Sequence, residues 1–340
     1  MSRLTLSFIC LLLGTMPIPA TAETGFRQIT LDPQGDRPLA LSLWYPTKDR
    51  GAAETVGENA AFLGIPVLRD ATPAAGAHPL VLLSHGYGGS WRNLNWLAER
   101  LVDGGYIVAA PDHPGTTTFN RDPAQAAALF QRPHDLGRSA DALLADPALA
   151  GRVDADRIAA IGHSLGGWTV AAMAGARFAP DQFAADCARN TSPRSCALSA
   201  ELGLNDPAIE GGMQDPRLRA FVSLDLGLAR GFTPESLQAI EIPALIVSAG
   251  VDIGDLPASL ESGWLTQHMP ADHARSWVIP DAMHFSFMGI CKPGAEAMIE
   301  AEEPGDGIVC RDAGTRSRQD IHAELAREIL AFLAQNLTVR

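Results

Sequence analysis

The stretch IGHSLGGWTV, residues 161–170, sets Ser164 between Gly162 and Gly166, with Gly167 following and a helix-like apolar run beyond. Glycine is a poor helix former, so three of them at a helix start point to a special turn. The spacing G-x-S-x-G between a strand and a helix is that turn. It lifts a serine hydroxyl above the carboxyl edge of a sheet, and only glycine tolerates the close approach of strand and helix. A hydroxyl of this kind attacks carbonyls when a base takes its proton and an acid orients the base. In such a setting the acid and then the histidine follow the serine along the chain. The apolar run 243–249 is followed by Asp252, and the run 276–280 is followed by His284. We therefore expect Ser164 as nucleophile, His284 as base and Asp252 as the orienting acid, with Asp225, directly after AFVSL, as the alternative acid. His268 and His273 precede the last strand in a polar stretch and suit surface roles, and Asp255 is a near neighbour of Asp252.

Acyl transfer also generates an oxyanion, which needs preorganised donors. The Leu165 N–H directly follows the nucleophile. The glycine-rich loop SHGYGGS, 84–90, follows an earlier apolar run and supplies the Tyr87 N–H as a second donor. His85 and His163 are read as packing or hydrogen-bonding groups.

These residues need a sheet to carry them. FRQITL and LALSLWYP flank the turn DPQGDRP and read as an N-terminal antiparallel hairpin, whereas 48–78, rich in Ala, Gly and Pro, reads as a long surface connection. Beyond it, PLVLLSH, YIVAA and RIAAIG are short continuous apolar runs suited to strands buried on both faces. Between them lie helical patterns at 91–105, with Trp91, Leu94, Leu97, Leu101 and Val102 in phase, and at 135–147. The rhythm pauses at 177–217, which holds Pro180, Pro193, Pro207 and Pro216. It then resumes with AFVSLD, PALIVSAG, SWVIP and a closing helix over about 317–335. Strand–helix alternation of this kind predicts a mostly parallel α/β sheet with helices on both faces, forming a single domain over 23–340 with an insertion at 177–217.

The 340 residues carry a formal net charge of −13. Arg3, an apolar run from Leu4 to Leu13 and the Ala20-x-Ala22 site read as a signal peptide ending at residue 22. The run is shorter than the ~20 residues a membrane span needs. Its removal deletes one arginine and no acid, moving the charge from −13 to −14. Such a surface is unsuited to nucleic acid or anionic membranes. Four cysteines then remain, and an even number in an exported protein suggests disulfides, by proximity Cys187–Cys196 and Cys291–Cys310. The expected setting is periplasmic or extracellular.

With these residues in hand, the chain resembles the α/β-hydrolases, and within them the predicted dienelactone-hydrolase group related to platelet-activating-factor acetylhydrolases. The likeness runs from about 62 to 335 and is carried by HPLVLLSHGYGG, GYIVAAPDHPG, RPHDLGRSADALL, DRIAAIGHSLGGWT, FTPESLQAIEIPALIVSAG and MHFSFM. It implies Ser164 as nucleophile, His284 as base and the Leu165 and Tyr87 amides as oxyanion donors. It leaves the acid open, since lipase-like relatives support Asp252 and the plasma acetylhydrolase an LD context like Leu224-Asp225. True dienelactone hydrolases use a cysteine nucleophile, so that substrate does not carry over to Ser164.

The expectation is hydrolysis of short- to medium-chain carboxylic esters, phospholipid-like ones included, without metal or organic cofactor. Amide or peptide hydrolysis by the same three residues, and a non-catalytic binding protein on this scaffold, are the alternatives.

Overall fold

Alternation along the strands decides which residues face which layer. In β5 (Ala77–Ser84), Leu80 and Leu82 join one apolar cluster while Val81 and Leu83 join the other. The same division runs through β2 (Leu39–Thr47), β6 (Ile107–Asp112), β7 (Arg152–His163), β8 (Leu218–Leu224) and β9 (Ala244–Val251). A sheet apolar on both faces must be covered on both. On one side lie α1 (Asn95–Asp103) and α9 (Arg318–Asn336); on the other lie α3 (Gln131–Ala145), α4 (Leu165–Ala174) and α7 (Ser262–His268).

The computed structural model describes residues 23–192, 194–254 and 257–338. The proposed signal peptide, Pro193 and Asp255 lie outside them. Adding β1 (Glu23–Leu31), β3 (Glu54–Val56), β4 (Ile65–Arg69) and β10 (Ala274–Met283) gives one ten-stranded sheet in the order β10-β9-β8-β7-β5-β6-β2-β1-β4-β3. The run from β10 to β6 is parallel, while β2 is antiparallel to both β6 and β1, as the N-terminal hairpin requires. The stretch 48–78 departs from the expected connection. It holds β3 and β4, and β4 extends the sheet beyond β1.

From β5 the chain crosses to β6 on one side and returns to β7 on the other. The crevice at the carboxyl ends of β5 and β7 is therefore a point where winding reverses, the usual place for a site in such a sheet. The insertion contributes α5 (Pro180–Arg189) and a run of turns. It is anchored by buried Phe183, Leu202 and Leu204, and by an ion pair between Asp186 and Arg230 at 2.5 Å. Cys187 is bonded to Cys196 within it, and Cys291 to Cys310 after the last strand. Among the described residues, no helix is long and apolar enough to cross a membrane.

Candidate active site

The turn at Ser164 is as tight as its glycines suggest. A Cβ on Gly162 would sit 2.0 Å from Gly166 O, and one on Gly166 only 1.9 Å from Ser84 O. Ser164 itself takes φ 57 and ψ −121, a conformation that L-residues rarely adopt. Its N–H donates to Leu224 O at 2.9 Å, tying the turn to the neighbouring strand.

His284 follows the end of β10, in a short 3-10 turn, His284–Phe287. This turn is held from several sides. Ser286 Oγ accepts from Met283 N at 2.8 Å and donates to Asp312, while His322 Nε2 donates to Ser286 O at 2.9 Å. Buried Arg318 in turn bonds Asp312 and donates to Gly289 O and Val309 O at 3.1 and 2.9 Å. Beneath the ring, His163 Nε2 donates to His284 O at 2.8 Å. Burial and the neighbouring His284 push the His163 pKa down to about 3, so it stays neutral and its single proton goes to that carbonyl.

His284 Nε2 lies 3.0 Å from Ser164 Oγ, and its Nδ1 lies 2.6 Å from Asp225 Oδ2. The other Asp225 oxygen accepts from Ala249 N at 2.9 Å. Burial alone would raise the Asp225 pKa. The His284 bond and charge and the Ala249 N–H outweigh it and hold the carboxyl below its ordinary value. The structure thus brings together Ser164, His284 and Asp225.

The preference for Asp252 is corrected here. Nδ1 of His284 has one proton to donate, and the Asp225 carboxylate accepts that hydrogen bond. Asp252 lies in an exposed loop on the cleft wall, where its Oδ1 accepts from Gly254 N at 2.8 Å. His268 and His273 are engaged elsewhere, with Trp264 O and Ile240 O.

The loop after β5 passes directly against the nucleophile, since a Cβ on Gly86 would meet Ser164 Cβ at 3.2 Å. Its next residue is Tyr87. His113 N–H donates to His85 Nε2 at 3.0 Å, so His85 carries its proton on Nδ1 and donates it to Gly86 O at 2.7 Å. In a trans peptide N–H and C=O point oppositely, so the Tyr87 N–H faces away from His85. Leu165 is the first residue of α4, and its N–H has no partner within the helix.

Sequence reasoning missed a buried network under this loop. Asp135 accepts from His113 Nδ1 at 3.0 Å and from both forks of Arg37, and His113 Nε2 accepts from Ser84 Oγ at 3.0 Å. Burial and the Arg132 charge push the His113 pKa to about 3, and burial lowers that of Arg132 to about 9, leaving Arg132 charged at neutral pH. Its His113, Arg132 and Asp135 lay in the runs PDHPG and RPHD, quoted above only as parts of family motifs.

Above the serine opens a cleft of about 930 Å³, lined by Tyr87, Phe119, Leu198, Phe285 and Met288 among others. The Tyr87 hydroxyl donates to Glu201 of the insertion, and burial with that bond raises its pKa to about 12.

A solved ferulic acid esterase from Streptomyces cinnamoneus superposes with a TM-score of 0.65 at 23% identity, over 94% of this chain and 92% of that one. The fold is that of the α/β-hydrolases. A family model described as PETase, PET hydrolase-like, matches residues 51–185. Cutinase est2 of Thermobifida alba is 34% identical over 107 residues, 31% of this chain and 32% of that protein. Cutinase 2 of Thermobifida cellulosilytica is 32% identical over 107 residues, 31% of this chain and 37% of that protein. The match spans about a third of the length of these curated relatives. The family-model match includes Ser164 and the loop 84–90 but ends before Asp225 and His284. The narrower grouping with dienelactone hydrolases and platelet-activating-factor acetylhydrolases rests on the sequence motifs alone.

Proposed function

We propose that this protein is a carboxylic ester hydrolase working through an acyl-enzyme on Ser164. The reading is carried by the continuous relay from Ser164 Oγ through His284, at 3.0 Å, to Asp225, at 2.6 Å. His284 Nε2 takes the Ser164 proton as Oγ adds to the ester carbonyl, and Asp225 holds the imidazolium in place. The Leu165 and Tyr87 amides receive the oxyanion. His284 then protonates the leaving alcohol. A water, deprotonated by the same ring, releases the acid and restores the serine.

Support for esters as substrates comes from the similarity to cutinases and from the match to a PET hydrolase-like family model over 51–185, a stretch that holds Ser164. The aromatic and aliphatic cleft wall suits an apolar acyl or aryl group. The two disulfides and the apolar N-terminal run fit a protein working outside the reducing cytosol. Assay of p-nitrophenyl esters from two to twelve carbons, with fluorophosphonate labelling of Ser164, tests the reading. No ester turnover and no labelling in folded protein would overturn it.

A further inference from the structure

An oxyanion hole works only if its two donors converge on one point, at 2.7–3.1 Å each. Here they come from separate segments: Tyr87 after β5, and Leu165 after β7. Something must set their spacing, and the amides cannot do so themselves.

Arg132, in the first turn of α3, lies 1% exposed between the two segments. Its Nη2 donates to His85 O, the carbonyl two residues before Tyr87, and to Ser84 Oγ at 3.1 Å. Its Nε donates to Thr169 Oγ1 at 2.9 Å, and Thr169 Oγ1 donates to Leu165 O at 2.9 Å. Its Nη1 donates to Thr116 Oγ1 at 2.6 Å. One rigid planar group therefore bridges the two segments that carry the donors, through His85 on one side and Thr169 on the other. We propose that Arg132 is the positioning residue of the oxyanion hole, fixing the separation of the Tyr87 and Leu165 amides. This rests on the Ser164 reading above.

Two observations favour this over simple packing. Among the described residues, no carboxylate is ion-paired with Arg132, so its burial is costly where an apolar side chain would be cheaper. The compensating charge comes from Asp135, which is itself held by Arg37 and His113. Moreover, the Ser84–His113–Asp135 chain has the residue order of a catalytic relay yet lies 0% exposed, with Arg132 occupying a Ser84 lone pair. It serves as the rigid back wall against which the guanidinium is seated. Lysine cannot replace a fork that must reach several acceptors in one plane.

The test uses Arg132→Met, Arg132→Lys and the near-isosteric Thr169→Val, which breaks only the link to α4. For each, kcat and KM are measured with p-nitrophenyl acetate, together with Ki for a trifluoromethyl ketone that forms an oxyanion on serine, below the melting temperature. Displacing donors by a fraction of an ångström should lower kcat about 10- to 100-fold in Arg132→Met and about 10-fold in Thr169→Val. KM should stay within about twofold, with Ki rising in step with the loss of kcat, as expected of an interaction made only in the transition state. Arg132→Lys should recover melting temperature more than kcat. Folded variants with wild-type kcat and Ki, or a loss carried by KM alone, would overturn the proposal; should Arg132→Met not fold, Thr169→Val decides. Ser164→Ala distinguishes the two levels. If it is inactive while the Arg132 variants keep full kcat, only the role of Arg132 falls; if it is active, the Ser164 reading falls and the hole with it.

Discussion

Ser164 and His284 can be picked from residue type and spacing, but the acid cannot. Two aspartates, Asp225 and Asp252, each follow an apolar strand, and nothing in the letters states which way their side chains turn. What decides is backbone: Asp225 sits at φ 46, a kink that aims its carboxylate at the His284 ring while the Ala249 N–H holds the other oxygen. Arg132 escapes a sequence reading for a related reason, since arginine is ordinarily a surface residue and only the fold reveals its burial. At this scale we expect Ser164→Ala to lose almost all ester turnover while keeping its melting temperature. Asp225→Asn should lower kcat about 10⁴-fold through loss of the correct His284 tautomer, whereas Asp252→Asn should stay within about tenfold of wild type. The reverse ranking, read from kcat in folded variants, would return the role to Asp252.

The buried strands are legible because continuous apolar runs admit few alternatives. By contrast, β3 and β4 are three and five residues long, with no sustained alternation, and vanish into an Ala/Gly/Pro-rich stretch. Contact between elements is where the glycines matter. A methyl on Gly166 would fall 1.9 Å from Ser84 O, a backbone atom that cannot step aside. Gly166→Ala should therefore separate α4 from β5, and we expect at least a 100-fold loss of activity or failure to fold. The loop after His284 makes a second case. Cys291–Cys310 closes the segment whose Val309 carbonyl receives Arg318, and Arg318 holds Asp312 against Ser286. Replacing both cysteines by serine should cost about 2–5 kcal/mol in unfolding experiments. It should also slow turnover by loosening the His284 turn. Unchanged stability and rate would show that the Arg318 bonds suffice alone.

The molecule as a whole is acidic, and one carboxyl contributes to stability in the opposite sense from Asp225. Asp112, at the end of β6, is pushed up to about 6 by burial, only partly offset by the Trp91 N–H and the Arg92 charge. An unfolded aspartate ionises near pH 3.9. Between these values the folded protein keeps a proton the unfolded chain has lost. The contribution is full below about pH 4 and falls as pH rises through 6, by about 3 kcal/mol for a shift of some two units. Asp112→Asn removes this dependence. The unfolding free energy of wild type minus that of the variant should therefore decline by about 2 kcal/mol from pH 4 to 7, since about half the unfolded group is already ionised at the lower limit. A difference flat across that range would contradict the burial argument. None of this is visible in net charge, which counts Asp112 like any surface acid.

The insertion leaves and re-enters the framework at nearly one place. Asp215 N donates to Met173 O at 3.0 Å, so the chain departs from the end of α4 and returns beside it. The segment between supplies Leu198 and Leu202 to the cleft, but Ser164, Asp225 and His284 all stand outside it. A doorway of this kind lets an evolving lineage exchange the wall that touches substrate, by duplication or graft, without re-registering a single strand. Diversification of specificity is thereby uncoupled from inheritance of the chemistry.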